Sequence, residues 1–196
     1  MSESEVSGSD IYLQPSVRFE RGRRYMVCAR SGHGKTSLLN FIYGSSLDYD
    51  GTISLHEPQP DPLELRRRKI SYLFQDLRLF PQLTALENIQ IKNILTGFKS
   101  DTEIADMLAR VLPADKACQP VATLSLGQRQ RVAAVRALCQ PFEFLLMDEP
   151  FSHIDLENAR QLAALVDEEV SSQGAALIVT ALDPITLFHF DQTLHL

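Results

Sequence analysis

Tyr25-Met-Val-Cys-Ala-Arg-Ser-Gly-His-Gly-Lys-Thr36 is the stretch on which the fold turns. Tyr25 to Ala29 is apolar throughout, as a strand covered on both faces must be. Gly32 and Gly34 then mark a tight turn, a helix follows from about Lys35 to Tyr43, and Gly44 stands where a helix takes its left-handed terminal residue. A glycine-bearing turn between a strand and a helix that closes on Gly-Lys-Thr suits phosphate binding. Backbone N–H groups surround the phosphates, the lysine reaches the β and γ oxygens, and the threonine ligates Mg²⁺. Against G-x-x-x-x-G-K-[ST], Gly34, Lys35 and Thr36 are intact and Ala29 stands in the first glycine's place. Taken alone, the turn also fits a solvated lysine on a glycine-rich bend.

Outward from this stretch, short apolar runs alternate with helical patterns, which predicts an α/β fold with a largely parallel sheet. Gly51 to Leu55 and Ile70 to Phe74 read as strands, separated by a proline-rich loop and the basic run Arg66-Arg-Arg-Lys69. Thr84 and Glu87 form a capping-box pair opening a helix that ends near Gly97. A second helix fits Asp101 to Leu112, with Ile104, Leu108 and Val111 on one stripe. Ser125 or Leu126 caps a third, from Gly127 to about Cys139, whose exposed side is expected to carry Arg129, Arg131 and Arg136. Phe142 to Met147 reads as a central strand ending in Asp148-Glu149-Pro150. A helix from about Leu156 to Ser172, a strand from Ala175 to Thr180 and a last short strand near Thr193 to Leu196 complete the pattern. Residues 1–10 read as a disordered tail and 11–196 as one domain. Within it, 11–75 and 141–196 form the sheet core, and about 76–140 a mainly helical insertion.

Composition narrows the function. The chain of 196 residues has 19 Lys and Arg against 25 Asp and Glu, a formal charge of −6. It lacks the basic surplus that a nucleic-acid binder uses against phosphates. The longest apolar run, Ala175 to Leu182, falls far short of the roughly 18 residues of a membrane span. Three cysteines without a C-x-x-C pair suit a reducing compartment, and the five histidines lack metal-ligand spacing. The expected location is therefore cytoplasmic.

The second chemical element is the strand ending at Asp148-Glu149. A buried strand delivers both carboxylates to the sheet edge beside the phosphate loop, where an aspartate holds the Mg²⁺ shell and a glutamate polarises an attacking water. Three further segments follow in order: Leu73-Phe-Gln75, Leu124-Ser-Leu-Gly-Gln128 and Ser152-His-Ile-Asp155. Together the set resembles the nucleotide-binding subunit of an ABC transporter over about nine-tenths of the chain. The resemblance makes Ala29, Arg30, Ser31, Gly32, His33, Gly34, Lys35, Thr36 and Ser37 the Walker A loop that binds ATP. It makes Gln75 the Q-loop, and Ser125, Leu126, Gly127 and Gln128 the signature. Asp148 and Glu149 become Walker B with its catalytic glutamate, and Asp155 the D-loop. It implies a P-loop NTPase fold with an inserted helical subdomain, and ATP and Mg²⁺ as ligands. Glu149 and Gln75 would be catalytic, and Thr36, Gln75 and Asp148 would hold the metal. It also implies a head-to-tail homodimer or heterodimer with another such subunit, in which the signature helix would aim its N-terminal N–H groups, Gly127 and Gln128, at the partner's nucleotide. A transmembrane permease would place the dimer on the inner face of the membrane.

Four positions depart from the family pattern. Ala29 replaces a glycine, tolerable at negative φ. Leu126 replaces the first signature glycine and would cost roughly 1–2 kcal/mol if its φ were positive. After the strand to Thr180, the family histidine that contacts the γ-phosphate is replaced by Ala181 or Leu182, neither of which donates a hydrogen bond. His33 and His153 lie in neighbouring motifs but start from different backbone positions. Tyr12 is the upstream candidate for stacking on adenine. These departures predict slow turnover and leave two alternatives: an ATP-binding, hydrolysis-poor scaffold, or a soluble ABC ATPase. Leu65 to Gln75 with Leu83 to Asn88 is similar to lipoprotein-releasing and macrolide-exporting ATPases. Asp148 to Ser152 is more similar to importer subunits such as that for thiamine, so the cargo stays open.

Overall fold

The computed structural model describes residues 8–54 and 61–196. Within them, five strands carry the architecture: β1 (Arg24–Cys28), β2 (Ile70–Leu73), β3 (Phe144–Asp148), β4 (Ala176–Ala181) and β5 (Gln192–His195). They form one parallel sheet in the order β2-β3-β4-β1-β5. The helices are α1 (Lys35–Tyr43), α2 (Ala85–Asn93), α3 (Asp101–Val111), α4 (Leu126–Leu138) and α5 (Leu156–Ser172).

The sheet is buried on both faces, and successive side chains divide between them as strand geometry requires. Tyr25, Val27, Tyr72, Leu146 and Ile178 pack with Leu38 and Leu39 of α1. Leu145, Met147, Leu177 and Val179 face the other way, into a core shared with α2, α3, α4 and α5. The segment between β2 and β3 is therefore helical, as the apolar spacing predicts, and its helices share a continuous core with the sheet. Ser125, Thr84 and Ser100 each close a complete capping box, with Gln128, Glu87 and Glu103 respectively. Each such cap is worth about 1 kcal/mol.

Register positions the chemistry. Asp148 pairs with Thr180 and Cys28 with Ala181, so the carboxyl ends of β1, β3 and β4 share one edge, where ligands bind in open α/β sheets.

The structure corrects three expectations. Gly51 to Ser54 forms no strand: these residues are exposed and unpaired by any ladder, so nothing rewards extension there, and Leu55 lies outside the described residues. Residues 8–10 are not tail. Ser9 is buried and accepts the N–H groups of Ile11 and Tyr12, while Asp10 exchanges two 2.8 Å hydrogen bonds with His195 on β5; residues 1–7 lie outside the described residues. Arg131 and Arg136 are not on a solvent face of α4. Arg131 is buried and bonded to Asn158 and to the Gly127 carbonyl, and Arg136 donates to the Leu77 and Arg78 carbonyls at 2.6 Å each. Arg131 thus ties α4 to α5 and Arg136 satisfies two loop carbonyls, uses the helical period alone does not reveal.

Candidate functional site

The turn after β1 takes the path its glycines allow. Gly32 and Gly34 sit at φ 82° and 84°, and Gly34 immediately precedes α1. Ala29 is not among the positive-φ residues, and its N–H donates to the Ala181 carbonyl at 3.2 Å, so the alanine is accommodated without strain. Lys35 is only 5 % exposed. Its Nζ donates to the carbonyls of Ala29 (2.7 Å) and Arg30 (3.1 Å) and lies 3.2 Å from Glu149 Oε1. The loop thus holds its lysine inside its own curve.

Thr36 begins the second contact set. Its Oγ1 donates to Asp148 Oδ2 at 2.6 Å and approaches Gln75 Oε1 at 3.2 Å. Three oxygen groups from α1, β3 and the end of β2 therefore converge: a hydroxyl, a carboxylate and an amide. These are hard ligands of the kind Mg²⁺ takes, and Mg²⁺ is usually held by one or two carboxylates with phosphates and waters completing its shell. Among the described residues there is no cluster of three or more His, Cys, Asp and Glu, and a single carboxylate with a hydroxyl fits that mode. Asp148 is itself fixed from behind, since Thr180 Oγ1 donates to its Oδ1 at 2.6 Å.

Glu149 adopts φ 48°, a left-handed conformation that costs a residue with a Cβ of order 1–3 kcal/mol. Its surroundings enforce it. The Glu149 N–H donates to Thr180 O and Oγ1, both at 3.2 Å. The Glu149 carbonyl accepts from Gln130 Nε2 at 2.9 Å and from Ser152 Oγ at 3.1 Å.

The signature segment lies at the start of α4. Ser125 Oγ accepts the Gln128 N–H and the Ser125 N–H donates to Gln128 Oε1. The Gln128 N–H is thus engaged within the capping box. Leu126 is 40 % exposed at the first helical position and has no positive φ, so the strain considered for it does not arise. Gly127 is irreplaceable in a different sense: a Cβ there would stand 2.5 Å from the His153 carbonyl. Asp155 caps α5, accepting from the Asn158 N–H at 3.0 Å.

With this geometry in view, the ABC transporter sequence profile matches residues 13–152. The chain belongs to the ABC transporter family. As such it is an ATP-binding subunit and an ATPase. The cassette is 30% identical over 190 residues to the lipoprotein-releasing system ATP-binding protein LolD of Porphyromonas gingivalis, covering 92% of this chain and 86% of that protein. It is 32% identical over 170 residues to the thiamine import ATP-binding protein ThiQ of Shigella sonnei, covering 85% and 73%. The dimeric structure of MJ0796, a bacterial ABC transporter cassette, is similar with a TM-score of 0.75 at 27% identity, over 85% of this chain and 78% of that one. The same protein in a post-hydrolysis state with ADP and Pi gives 0.71 at 27% identity and the same coverage.

Within the cassette, Lys35, Thr36, Gln75, Asp148 and Glu149 meet at one sheet edge. Tyr12 is partly buried and packs with Ile11 against the α1-side core, its hydroxyl buried without a hydrogen-bond partner. Ala181 is buried at the end of β4 and Leu182 half exposed beyond it. His33 bonds its own loop through the Ser31 carbonyl, and His153 bonds Ser152. Two residues that the motifs do not name matter here. Thr180 grips both Asp148 and Glu149, and its only sequence signal is a hydroxyl in an otherwise apolar strand. Gln130, 3 % exposed, joins α4 to the Glu149 carbonyl and the His153 N–H; a polar residue on the buried side of a helix is its signal.

Proposed function

We propose that this cassette works as a dimer of ATP-binding subunits, bound to a transmembrane permease on the inner face of the membrane. ATP-driven closure of the dimer would there move the transport path. The observation that carries this reading is the convergence of Lys35, Thr36, Gln75, Asp148 and Glu149. Lys35 exchanges Glu149 and its loop carbonyls for the β and γ phosphates. The N–H groups from Arg30 to Ser37 line the phosphate path, and Thr36, Asp148 and Gln75 hold Mg²⁺. The ion, once bound, neutralises charge on the transferring phosphoryl group. Released from Lys35, Glu149 is free to orient and polarise the attacking water, its backbone already locked by hydrogen bonds to Thr180, Gln130 and Ser152. Ser125 to Gln128 serve the partner's nucleotide, and Asp155 the interface beside it. The division into a sheet core and a helical arm at 76–140 belongs to the same reading. Exporter-type and importer-type relatives are both similar to it, so cargo follows from the permease.

Turnover is slow in this reading, because neither Ala181 nor Leu182 supplies a side-chain donor where β4 ends. The loss of one such donor typically costs 10²–10³ in rate. The same observation favours the second reading, a nucleotide-gated scaffold. Phosphate release with Mg-ATP, run beside Glu149→Gln and Lys35→Ala with binding measured on the same samples, tests both. Release abolished by each substitution supports the motor. Binding lost only in Lys35→Ala, with no release from the parent even with its permease, supports the scaffold.

A further inference from the structure

The chain leaves β2 through a turn that its residue types resist. Leu77 and Arg78 are consecutive at φ 60° and 47°, a left-handed conformation that side chains with a Cβ oppose and glycine takes freely. Leu77 is buried, and its N–H closes a turn onto the Phe74 carbonyl at 3.0 Å, with Gln75 and Asp76 between them. The Arg78 N–H bonds the Asp76 carbonyl at 2.7 Å, and the Arg78 guanidinium lies 3.6 Å from the centre of the Phe74 ring. Gln75, whose Oε1 is 3.2 Å from Thr36 Oγ1, therefore sits at the head of a strained reversal.

Arg136 reaches that reversal from the last turn of α4. One of its guanidinium nitrogens donates to the Arg78 carbonyl and another to the Leu77 carbonyl, each at 2.6 Å. The group is half-buried, and burial lowers its pKa. The bond to Arg78 is exposed, where water would serve the same carbonyl. What a planar fork adds over water is a fixed distance between two neighbouring carbonyls, and with it a fixed pair of backbone conformations. The helix that begins at the signature thus ends on the segment that carries Gln75.

We propose that Arg136 is a positioning residue for Gln75, its fork holding the left-handed turn at Leu77 and Arg78 so that the glutamine stays beside Thr36. This rests on the ATPase reading above, in which Gln75 helps to hold Mg²⁺.

A double-mutant cycle tests it: Arg78→Gly and Arg78→Ala, each made with and without Arg136→Met. Both changes at 78 remove the same side chain, but only glycine takes the left-handed turn freely. Binding of a fluorescent ATP analogue titrated with Mg²⁺, and thermal unfolding without nucleotide, are measured on the parent and all four variants. With Arg136 present the turn is held, so the glycine and alanine proteins share one Mg²⁺ midpoint, while glycine melts about 2–4 °C higher. Without Arg136 the alanine turn relaxes. Its Mg²⁺ midpoint then rises about tenfold or more above the glycine protein's, the usual cost of losing outer-shell support, and the melting difference narrows. Midpoints within about twofold of each other in the two Arg136→Met proteins overturn the positioning role. A melting difference that Arg136→Met leaves unchanged overturns the clamp. Arg136→Lys, which keeps the stem and charge but loses the fork, repeats the cycle, so that poor folding of the methionine proteins leaves the result legible. A parent that binds without Mg²⁺ dependence, or a Lys35→Ala protein that still binds, instead overturns the ATP-site reading, and the nucleotide-free melting cycle still decides the clamp.

Discussion

Replacing Thr180 by valine removes one hydroxyl and adds one methyl of nearly the same size, so it deletes the hydroxyl's bonds to Asp148 and from the Glu149 N–H without opening a cavity. Thr180 is fully buried, and its hydroxyl donates at 2.6 Å to Asp148, itself 1 % exposed. Hydrogen bonds to charged groups contribute about 1.5–3 kcal/mol, and leaving a buried acceptor short of a donor tends to the upper end. In a domain of this size each kcal/mol shifts the melting temperature by about 2–4 °C, giving an expected fall of about 3–12 °C. Thr180→Ser is the control. It keeps the hydroxyl and loses a buried methyl worth about 1 kcal/mol, so it should fall by only about 2–4 °C. Nucleotide binding separates the two further: valine weakens the Mg²⁺-dependent part because Asp148 is free to turn, whereas serine leaves it near the parent's. Thermal unfolding and Mg²⁺ titrations on the three proteins decide the matter. A serine variant less stable than the valine one, with equal Mg²⁺ midpoints throughout, would refute the claim that Thr180 acts through Asp148.

Gly127→Ala places a methyl 2.5 Å from the His153 carbonyl; overpacking of this kind costs about 1–3 kcal/mol, visible as a lower denaturant midpoint. Leu126→Ala should leave that midpoint nearly unchanged, because Leu126 is exposed. Burial, aided by Arg136, lowers the Lys92 pKa to about 8. The unfolded chain then holds this proton more tightly, so stability rises as pH climbs from about 8 towards the unfolded value near 10.4, and Lys92→Met should abolish that rise. The Ser100 backbone N–H and hydroxyl hold the Glu103 carboxyl below its ordinary range. Its contribution to stability is complete above about pH 4.3 and fades as pH falls through the depressed folded value. An NMR titration should show the Glu103 midpoint moving up in Ser100→Ala.

Much of this molecule can be read from local spacing. Strand, glycine turn and Gly34-Lys35-Thr36 are contiguous, so covalent geometry alone brings them together, and the helices opened by Thr84 and Ser125 declare their caps within four residues. The parallel sheet follows from runs such as Phe144 to Met147. What escapes such a reading depends on register and on distant partners. Thr180 matters because β4 pairs with β3 so that it stands opposite Asp148. Arg131 looks like an exposed helical arginine until α5 brings Asn158 against it. Gly51 to Ser54 has strand-like composition, but a strand needs a neighbour, and composition does not supply one.

Gln130 carries a consequence for how such a molecule keeps two events in step. Its amide is a rivet with one end in the helix that begins at the signature and the other in the backbone of Glu149. Gly127 closes against the same loop with no room to spare. In a head-to-tail dimer the signature attends to one nucleotide and Glu149 to the other. If the dimer works as proposed above, the rivet would tie, inside a single chain, the segment that reads the partner's fuel to the residue that ignites its own.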